Sequence, residues 1–345
     1  VGALDFAGGV PATNIAQWDG ETYLPWEIDV DPFDPEVPLL PRRFLDFEFL
    51  AERGIRLDRR EQQRLLHSVV SWLLSQFLHG EQGALLVASQ LCSCAPTLNA
   101  KLYAGSQTFD EARHVEVFNK YLQERIGLMY PINTHLKSII DKILTDPRWD
   151  MKFIGMQIVI EGLALSAFNT TRETTPDPVL KDVVYLVTRD EARHVTFGVN
   201  YLEEFVKTLS DEEREERALF AYEACVVSRE RLVATDVFRH FGWDVEEARK
   251  KVLEGFVMST FRNLLFQRVV PNLKRIGLLT EAVRPRFEEL GILDFENLAT
   301  DGDIDWAAME RPLDTEEAQS HEQSMLAAFA KEHEKQEAAK ASSAA

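Results

Sequence analysis

The sequence predicts an all-α protein: a four-helix bundle with additional C-terminal helices and an N-terminal extended arm. Three observations carry that prediction. From Leu57 onward, apolar residues recur three and four apart over long stretches, the period of a helix with one buried face. No strand-length alternation competes with that period. Ahead of it, Pro25, Pro32, Pro35, Pro38 and Pro41 recur at intervals too short for a helix, each removing a backbone donor.

The elements follow in order along the chain. Residues 1–58 read as a Pro-rich arm, and its Trp18, Tyr23, Trp26 and Phe33 point to packing on the bundle. Asp58 is the expected N-cap of a first helix over 59–93. Pro96 breaks the chain, and a second helix spans 96–127. After a loop at Tyr130–Pro131, a third helical region runs over 133–172, interrupted near Asp146–Pro147. A fourth helix over 178–209 is entered past Pro176 and Pro178. Ser210 with Glu213 forms a capping-box signature for a fifth. Asp244 caps a sixth over 244–275, with Pro271 near its end. The helical domain is thus 59–280, and 281–345 supplies short helices and a charged tail. Within that tail, Glu316 to Ala345 is a solvated helix or a disordered segment, with His321 and His333 exposed and without chemistry.

Composition removes several function classes. A chain of 345 residues buries a core without disulfide staples. Apolar residues make up 45% and charged residues 28%, ordinary for a globular protein. The formal charge of −19 and the lack of any Lys/Arg-rich run exclude nucleic acid as a partner. Cys92, Cys94 and Cys225 have neither disulfide-scaffold nor zinc spacing and read as reduced thiols in or near the core. No apolar run approaches the ~20 residues of a membrane span. Val1 to Gly20 shows no basic segment followed by an apolar one, so a cytoplasmic location without a membrane partner is expected.

The chemistry lies in a repeat. The hexapeptide Asp-Glu-Ala-Arg-His-Val occurs at 110–115 and again at 190–195. Each copy places Glu and His three apart, Glu111 with His114 and Glu191 with His194, on one face of a helix. Two such helices facing each other offer two carboxylates and two imidazoles to one space. Two divalent ions held close together need more negative charge than that. Glu81 and Glu161 each stand in an otherwise apolar helical stretch, where an unpartnered carboxylate costs several kcal/mol. Glu81 precedes Glu111 by 30 residues, Glu161 precedes Glu191 by the same 30, and the two halves are offset by 80. One copy of Glu-x-x-His is often only a solvated face. Two copies with two matched lone glutamates define a six-ligand metal set: Glu81, Glu111, His114, Glu161, Glu191 and His194. The remaining His67, His79, His135 and His240 have no partner pattern and read as ordinary histidines.

This pattern resembles the ferritin-like dimetal-carboxylate superfamily, related to ribonucleotide reductase small subunits and bacterial multicomponent monooxygenase hydroxylases. The resemblance covers about 59–209. It implies a ferritin-like bundle in which Asp110 orients His194 and Asp190 orients His114 from behind the metals. Arg113 and Arg193 then neutralise these aspartates or pair with surface acids. The resemblance implies a non-haem dimetal oxygenase or oxidase. Two metal ions, Fe2+/Fe3+ foremost with Mn/Fe or Mn as alternatives, would activate dioxygen to oxidise a small, partly apolar organic substrate. Hydroxylation, N-oxygenation, desaturation and oxidative cleavage are the candidate reactions. Lacking a flavin or nicotinamide fingerprint, such an enzyme takes electrons from an external donor, a ferredoxin or reductase. A homodimer is implied by analogy.

Several positions separate the chain from named relatives. A radical-storing reductase subunit carries Tyr where this chain has Phe118. The N-oxygenases of aryl amines carry a further His where this chain has Val187, which sets it apart from that subfamily. Helical geometry alone nominates the substrate pocket: Gln107, Phe118, Gln157, Leu165, Ser166 and Phe197, with Leu78, Ala84 and Ala164 extending an apolar wall. The competing functions are a reductase-like radical subunit and a ferroxidase or other iron-handling protein. Phe118 and the absence of any Tyr after Tyr222 count against the first, and the helices beyond 210 are unneeded for the second.

Overall fold

The computed structural model describes residues 18–34 and 39–303. The tail over 316–345, with His321 and His333, lies outside the described residues, as do Pro35 and Pro38. Among the described residues the regular structure is helical throughout. A short helix, α1 (Phe47–Glu52), precedes the first long one, α2 (Arg59–Cys94). Asp58 caps α2 through a reciprocal box with Glu61, so two orphan backbone donors are satisfied at its start. Pro96 ends α2, and α3 (Leu98–Tyr121) turns back along it, running into a π-helical turn at Leu122–Ile126.

A crossover follows. Helix α4 (Thr134–Thr145) stops at Asp146–Pro147, and α5 (Trp149–Phe153) opens a continuous helical rod. The rod widens to a π-helical stretch at Ile154–Ile160 and continues as α6 (Glu161–Thr174). Pro178 at the first turn and Asp177 as cap start α7 (Pro178–Val206), which returns along α6. Thus α2, α3, α6 and α7 form the bundle. The expectation of no membrane-length apolar run needs correction, because Trp149–Thr174, 26 residues, is apolar and long enough by composition. Of its most apolar window 94% is buried inside the protein, so this rod is the core helix of the bundle.

Helix α8 (Asp211–Glu230) opens on the Ser210–Glu213 capping box and packs beside α4 and the π-helical stretch. Next come α9 (Thr235–His240), α10 (Val245–Leu253), α11 (Phe256–Leu264), α12 (Val269–Arg275) and α13 (Arg284–Glu289). The single helix expected over 244–275 is therefore three. Asp244 does cap its start, but Gly255 adopts extended backbone and a 3-10 turn at Leu265–Gln267 separates α11 from α12. Pro271, expected near the end of one long helix, lies in the first turn of α12, where a missing N–H removes no helical bond.

Two apolar clusters flank the bundle's centre. One joins α6, α7 and α8 with α12, around Phe153, Phe197 and Phe266. The other joins α2, α3 and the start of α7 around Leu74, Phe118 and Val187, and it takes in Trp18 and Leu24 from the N-terminal segment. Close helix approach is tightest where Gly198 of α7 faces the π-helical stretch: a Cβ there would lie 2.7 Å from Gln157 Cβ.

Candidate metal centre

Glu81 lies two-thirds of the way along α2, and Glu161 is the first residue of α6. Glu111 and His114 share one face of α3, and Glu191 and His194 share one face of α7, because three residues nearly close a helical turn. The bundle aims all six inward, and none is more than 5% exposed. They form two overlapping groups: Glu81, Glu111, His114 and Glu191, and Glu111, Glu161, Glu191 and His194. Within each group the ligand-type atoms lie within 4.8 Å of one another. Glu111 and Glu191 belong to both groups, so each can bridge two ions, while Glu81 and Glu161 each serve one.

Both imidazoles turn Nδ1 inward. His114 Nδ1 lies 3.2 Å from Glu81 Oε2 and 3.1 Å from Glu191 Oε1. His194 Nδ1 lies 3.3 Å from Glu111 Oε1 and 3.3 Å from Glu191 Oε2. The outward nitrogens meet aspartates of the opposite motif helix, His114 Nε2 at 3.2 Å from Asp190 Oδ2 and His194 Nε2 at 3.3 Å from Asp110 Oδ2. An Nε2–H donated to a carboxylate leaves Nδ1 as the free lone pair, the tautomer a metal needs.

The arginines of the repeat pair with these aspartates, not with surface acids. Arg113 donates to Asp110 at 2.6 Å and Asp190 at 2.7 Å; Arg193 donates to Asp190 at 2.5 Å and approaches Asp110 at 3.4 Å. Burial pushes the Asp190 carboxyl up, but Arg193, His114 and Arg113 outweigh it and hold it well below the usual carboxylate range. One residue of this network is not signalled by the repeat. The Trp18 indole donates to Asp190 Oδ2 at 2.7 Å, and its ring lies under the Arg113 guanidinium, 4.6 Å from ring centre to Cζ. Its only signal in the sequence is an aromatic residue in a Pro-rich arm, 172 residues away from its partner.

The glutamines face the other side of the site. Gln107 Nε2 donates to Glu111 Oε1 at 3.1 Å and Glu161 Oε1 at 2.9 Å, and Gln157 Nε2 donates to Gln107 Oε1 at 3.2 Å.

The electrostatics are those of a site built for cations. Burial and the neighbouring Glu191 push the Glu81 carboxyl well above its ordinary value. Burial with Glu191 and Glu111 does the same to Glu161. Burial would lower His114, yet hydrogen bonds that its ring donates to Asp190, Glu111, Glu191 and Glu81 raise it well above the usual histidine range. His194 is raised likewise, with Glu191 and Glu111 overcoming its burial. The donor set fits a metal pair. Four carboxylates and two neutral imidazoles balance two divalent ions, and O/N donors suit iron or manganese. Glu161 Oε2 is buried and accepts no hydrogen bond, a costly state that a cation relieves.

A cavity of about 660 Å³, its mouth included, reaches this centre and touches Glu81, Glu161 and Glu191. Its walls come from α2 (Trp72, Phe77, Ala84), α6 (Ala164, Phe168) and α11 (Phe261). Of the residues nominated from helical geometry, Gln107, Phe118, Gln157, Leu165, Ser166 and Phe197 do not line this cavity. Gln107 and Gln157 are committed to the carboxylates. Phe118 stacks with Phe168 at 5.7 Å, Phe197 stacks on Tyr103 at 3.8 Å, and Leu165 and Ser166 are buried in the core. Ala84 and Ala164 of the expected wall do line it; Leu78 does not. Of the remaining histidines, His67 and His79 bond the carbonyls of Ile126 and Tyr130, and His240 bonds the Tyr130 hydroxyl. The three cysteines are free thiols.

Comparison with known proteins bears on this site. The family model described as P-aminobenzoate N-oxygenase AurF matches residues 57–277. No curated protein matches. Among solved structures, the chain is similar to protein 19 with aldehyde deformylating oxidase activity from Synechococcus. That match has 16% identity and a TM-score of 0.46, and covers 65% of this chain and 95% of that one. It is also similar to an R2-like ligand-binding oxidase with an aerobically reconstituted metal cofactor after photoconversion. There the identity is 16% and the TM-score 0.48, over 80% of this chain and 93% of that one.

Proposed function

The chain belongs to the P-aminobenzoate N-oxygenase AurF family, and we propose that its six buried ligands hold two iron ions that oxygenate a small, largely apolar organic substrate. Oxygen-dependent oxidation at a dimetal centre comes with the family. Membership also corrects the reading of Val187: a valine at that place does not set the chain outside the N-oxygenases. Val187 is fully buried in the apolar cluster around Phe118 and offers no ligand.

The single observation that carries the ligand assignment is the pair of overlapping groups sharing Glu111 and Glu191. Glu81 and His114 would complete one ion, Glu161 and His194 the other. Held by these residues, a reduced metal pair would supply electrons for dioxygen. The chain's own residues set up that chemistry. Asp110 and Asp190 fix the imidazole tautomers and ring planes, and Arg113 and Arg193 pair with both aspartates and hold Asp190 ionised. Gln107 orients Glu111 and Glu161 through one amide. The apolar walls built by Phe77, Phe168 and Phe261 keep bulk water from the site and accept a substrate body.

N-oxygenation of an aromatic amine is the first reaction to test, with hydroxylation, desaturation and oxidative cleavage as the other members of the class. Iron is favoured over Mn/Fe or Mn because the family is one of di-iron oxygenases. An external donor, a ferredoxin or reductase, returns the electrons, and a cytoplasmic location and a homodimer belong to the same reading. Metal analysis should find two irons per chain in the wild type and fewer in Glu161→Ala. Anaerobically reduced protein exposed to O2 should develop an optical band and, with an arylamine and reductant, give an oxygenated product. An unchanged spectrum on exposure to O2 would remove this reading.

A further inference from the structure

Helix α3 turns an uncharged stripe to solvent. Leu98, Leu102, Gly105, Phe109 and Ala112 follow one another at steps of four, three, four and three residues, so they line one edge of the helix. All five are exposed, Leu98 by 70%, Leu102 by 48% and Phe109 by 61%. Gln82, Leu86, Ser89 and Ser93 of α2 are exposed as well and carry no charge either. Lys101, at the edge of this face, bonds the carbonyls of Cys92 and Ser93 at the end of α2. In a chain with 28% charged residues and a formal charge of −19, open helix faces normally carry charge. An exposed face without one, rich in large apolar side chains, has the composition of the centre of an interface.

Gly105 says what covers it. A glycine inside an exposed helix weakens that helix relative to alanine. Nothing within the chain asks for one here. The backbone at Gly105 is ordinary helix, and among the described residues an added Cβ would meet only Cys92 Sγ, at 4.0 Å. The missing side chain leaves a notch one turn from the Phe109 ring. Along the stripe the sizes alternate, with Leu102 large, Gly105 small, Phe109 large and Ala112 small. Turned end for end about a point level with Gln107, this edge fits itself. Phe109 of one copy then falls over Gly105 of the other, and Leu102 over Ala112, because both pairs are centred on position 107. Steps of three and four are also the spacing at which two helices pack knobs into holes with nearly aligned axes. A two-fold contact between identical chains requires such self-complementarity, and a foreign segment does not.

We propose that two copies of this chain dock through α3, antiparallel, with Phe109 of each copy seated in the Gly105 notch of the other. Two chains of −19 repel at a distance and meet where neither presents a charge. Glu116, the next exposed residue of the stripe, falls one turn past Ala112 and so at the rim, where water reaches it. The contact also reaches the metal centre. The Phe109 ring lies 5.5 Å from Arg113 Cζ, and Arg113 pairs with both Asp110 and Asp190. The second copy therefore closes over the ion-pair network that orients both imidazoles. The homodimer named above carried no surface with it. The face and the register argued here need no metal and stand whatever the centre oxidises.

Sedimentation of the full chain over a range of concentrations tests it. The wild type sediments as a dimer, and its dissociation constant falls as salt rises, because screening relieves the repulsion and no ion pair is lost. Phe109→Glu raises that constant by at least about 100-fold, since both copies lose a central ring and bury a charge. Gly105→Leu fills the notch and does the same. Its monomer melts no lower than that of Phe109→Glu, because leucine favours the helix over glycine. Register is read by crosslinking. A chain carrying both Leu102→Cys and Ala112→Cys joins to its partner under mild oxidation, whereas a chain carrying either one alone does not. A monomeric wild type overturns the proposal. So does a dimer that salt weakens, a dimer that survives either Phe109→Glu or Gly105→Leu, or crosslinking by a single variant. Failure of Phe109→Glu or Gly105→Leu to fold would show that another segment of this chain already occupies the face, which overturns it too.

Discussion

Replacing Trp18 by Phe isolates one bond between the N-terminal segment and the metal centre. The ring stays: Phe fills most of the buried space that Trp18 occupies and keeps an aromatic face under Arg113. What is lost is the indole N–H to Asp190 Oδ2, 2.7 Å long and fully buried. A hydrogen bond to a charged acceptor contributes about 1.5–3 kcal/mol. For a body of this size the unfolding entropy is roughly 0.6 kcal/mol/K, so the loss lowers the melting temperature by about 3–5 °C. Asp190 keeps Arg113, Arg193 and His114, so its carboxylate stays ionised and the His114 tautomer is retained. Metal affinity should then fall by less than about tenfold, below what loss of an aspartate that orients a ligand costs. Calorimetric melting of metal-free protein and chelator competition measure the two quantities. A melting temperature unchanged within about 1 °C would show that the indole does not bond Asp190 in solution, and the link between arm and centre would fall with it.

Asp190→Asn and Asp110→Asn should each weaken metal binding by about 10- to 100-fold in chelator competition. Asp190 should be the worse loss, because its Oδ2 also receives Trp18 and Arg113. In Gly198→Ala the new methyl group meets Gln157 Cβ at 2.7 Å, so overpacking should cost about 1–3 kcal/mol in denaturant melts. If that displacement passes through Gln157 and Gln107 to Glu161, bound metal drops from two ions toward one. Stripping the metals should lower the melting temperature; at free metal a thousandfold above Kd each ion contributes about 4 kcal/mol. Loading releases protons, because His114 and His194, raised in the metal-free site, must be neutral to ligate. Affinity therefore falls as pH falls, and titration in buffers of different ionisation enthalpy counts the protons. A pH-independent affinity would contradict that arrangement.

What could be read before the structure was what local periodicity encodes. The spacing of Glu81, Glu111, Glu161 and Glu191 is a statement about helix faces, and the bundle brings those faces together. Caps at Asp58, Ser210 and Asp244 are local hydrogen bonds between residues three apart, so they too are written in short stretches of sequence. The sixth helix was misread because Gly255 and the turn at Leu265–Gln267 interrupt an apolar period that continues across them. The full wall of the cavity is not legible in the sequence for a different reason. Helical phase says which residues lie near Glu161 along α6, but the wall is completed by Arg231 and Phe261, whose approach depends on how α8 and α11 close over the bundle. Trp18 belongs to the same class, since nothing within its own segment specifies an aspartate in α7 as its partner.

The π-helical stretch at Ile154–Ile160 acts as a phase shifter in the rod that carries Glu161. Upstream, Trp149 packs edge-on against Tyr201 and Phe205, and Asp150 pairs with Arg217 at 2.9 Å. Downstream, the carboxylate must aim at the bundle axis. Shortening the stretch by one residue would rotate one end against the other by about 100°. Either the aromatic clasp or the ligand would then be misdirected. The widened turn lets a single unbroken rod satisfy two angular demands that a uniform α-helix of the same sequence length would set against each other.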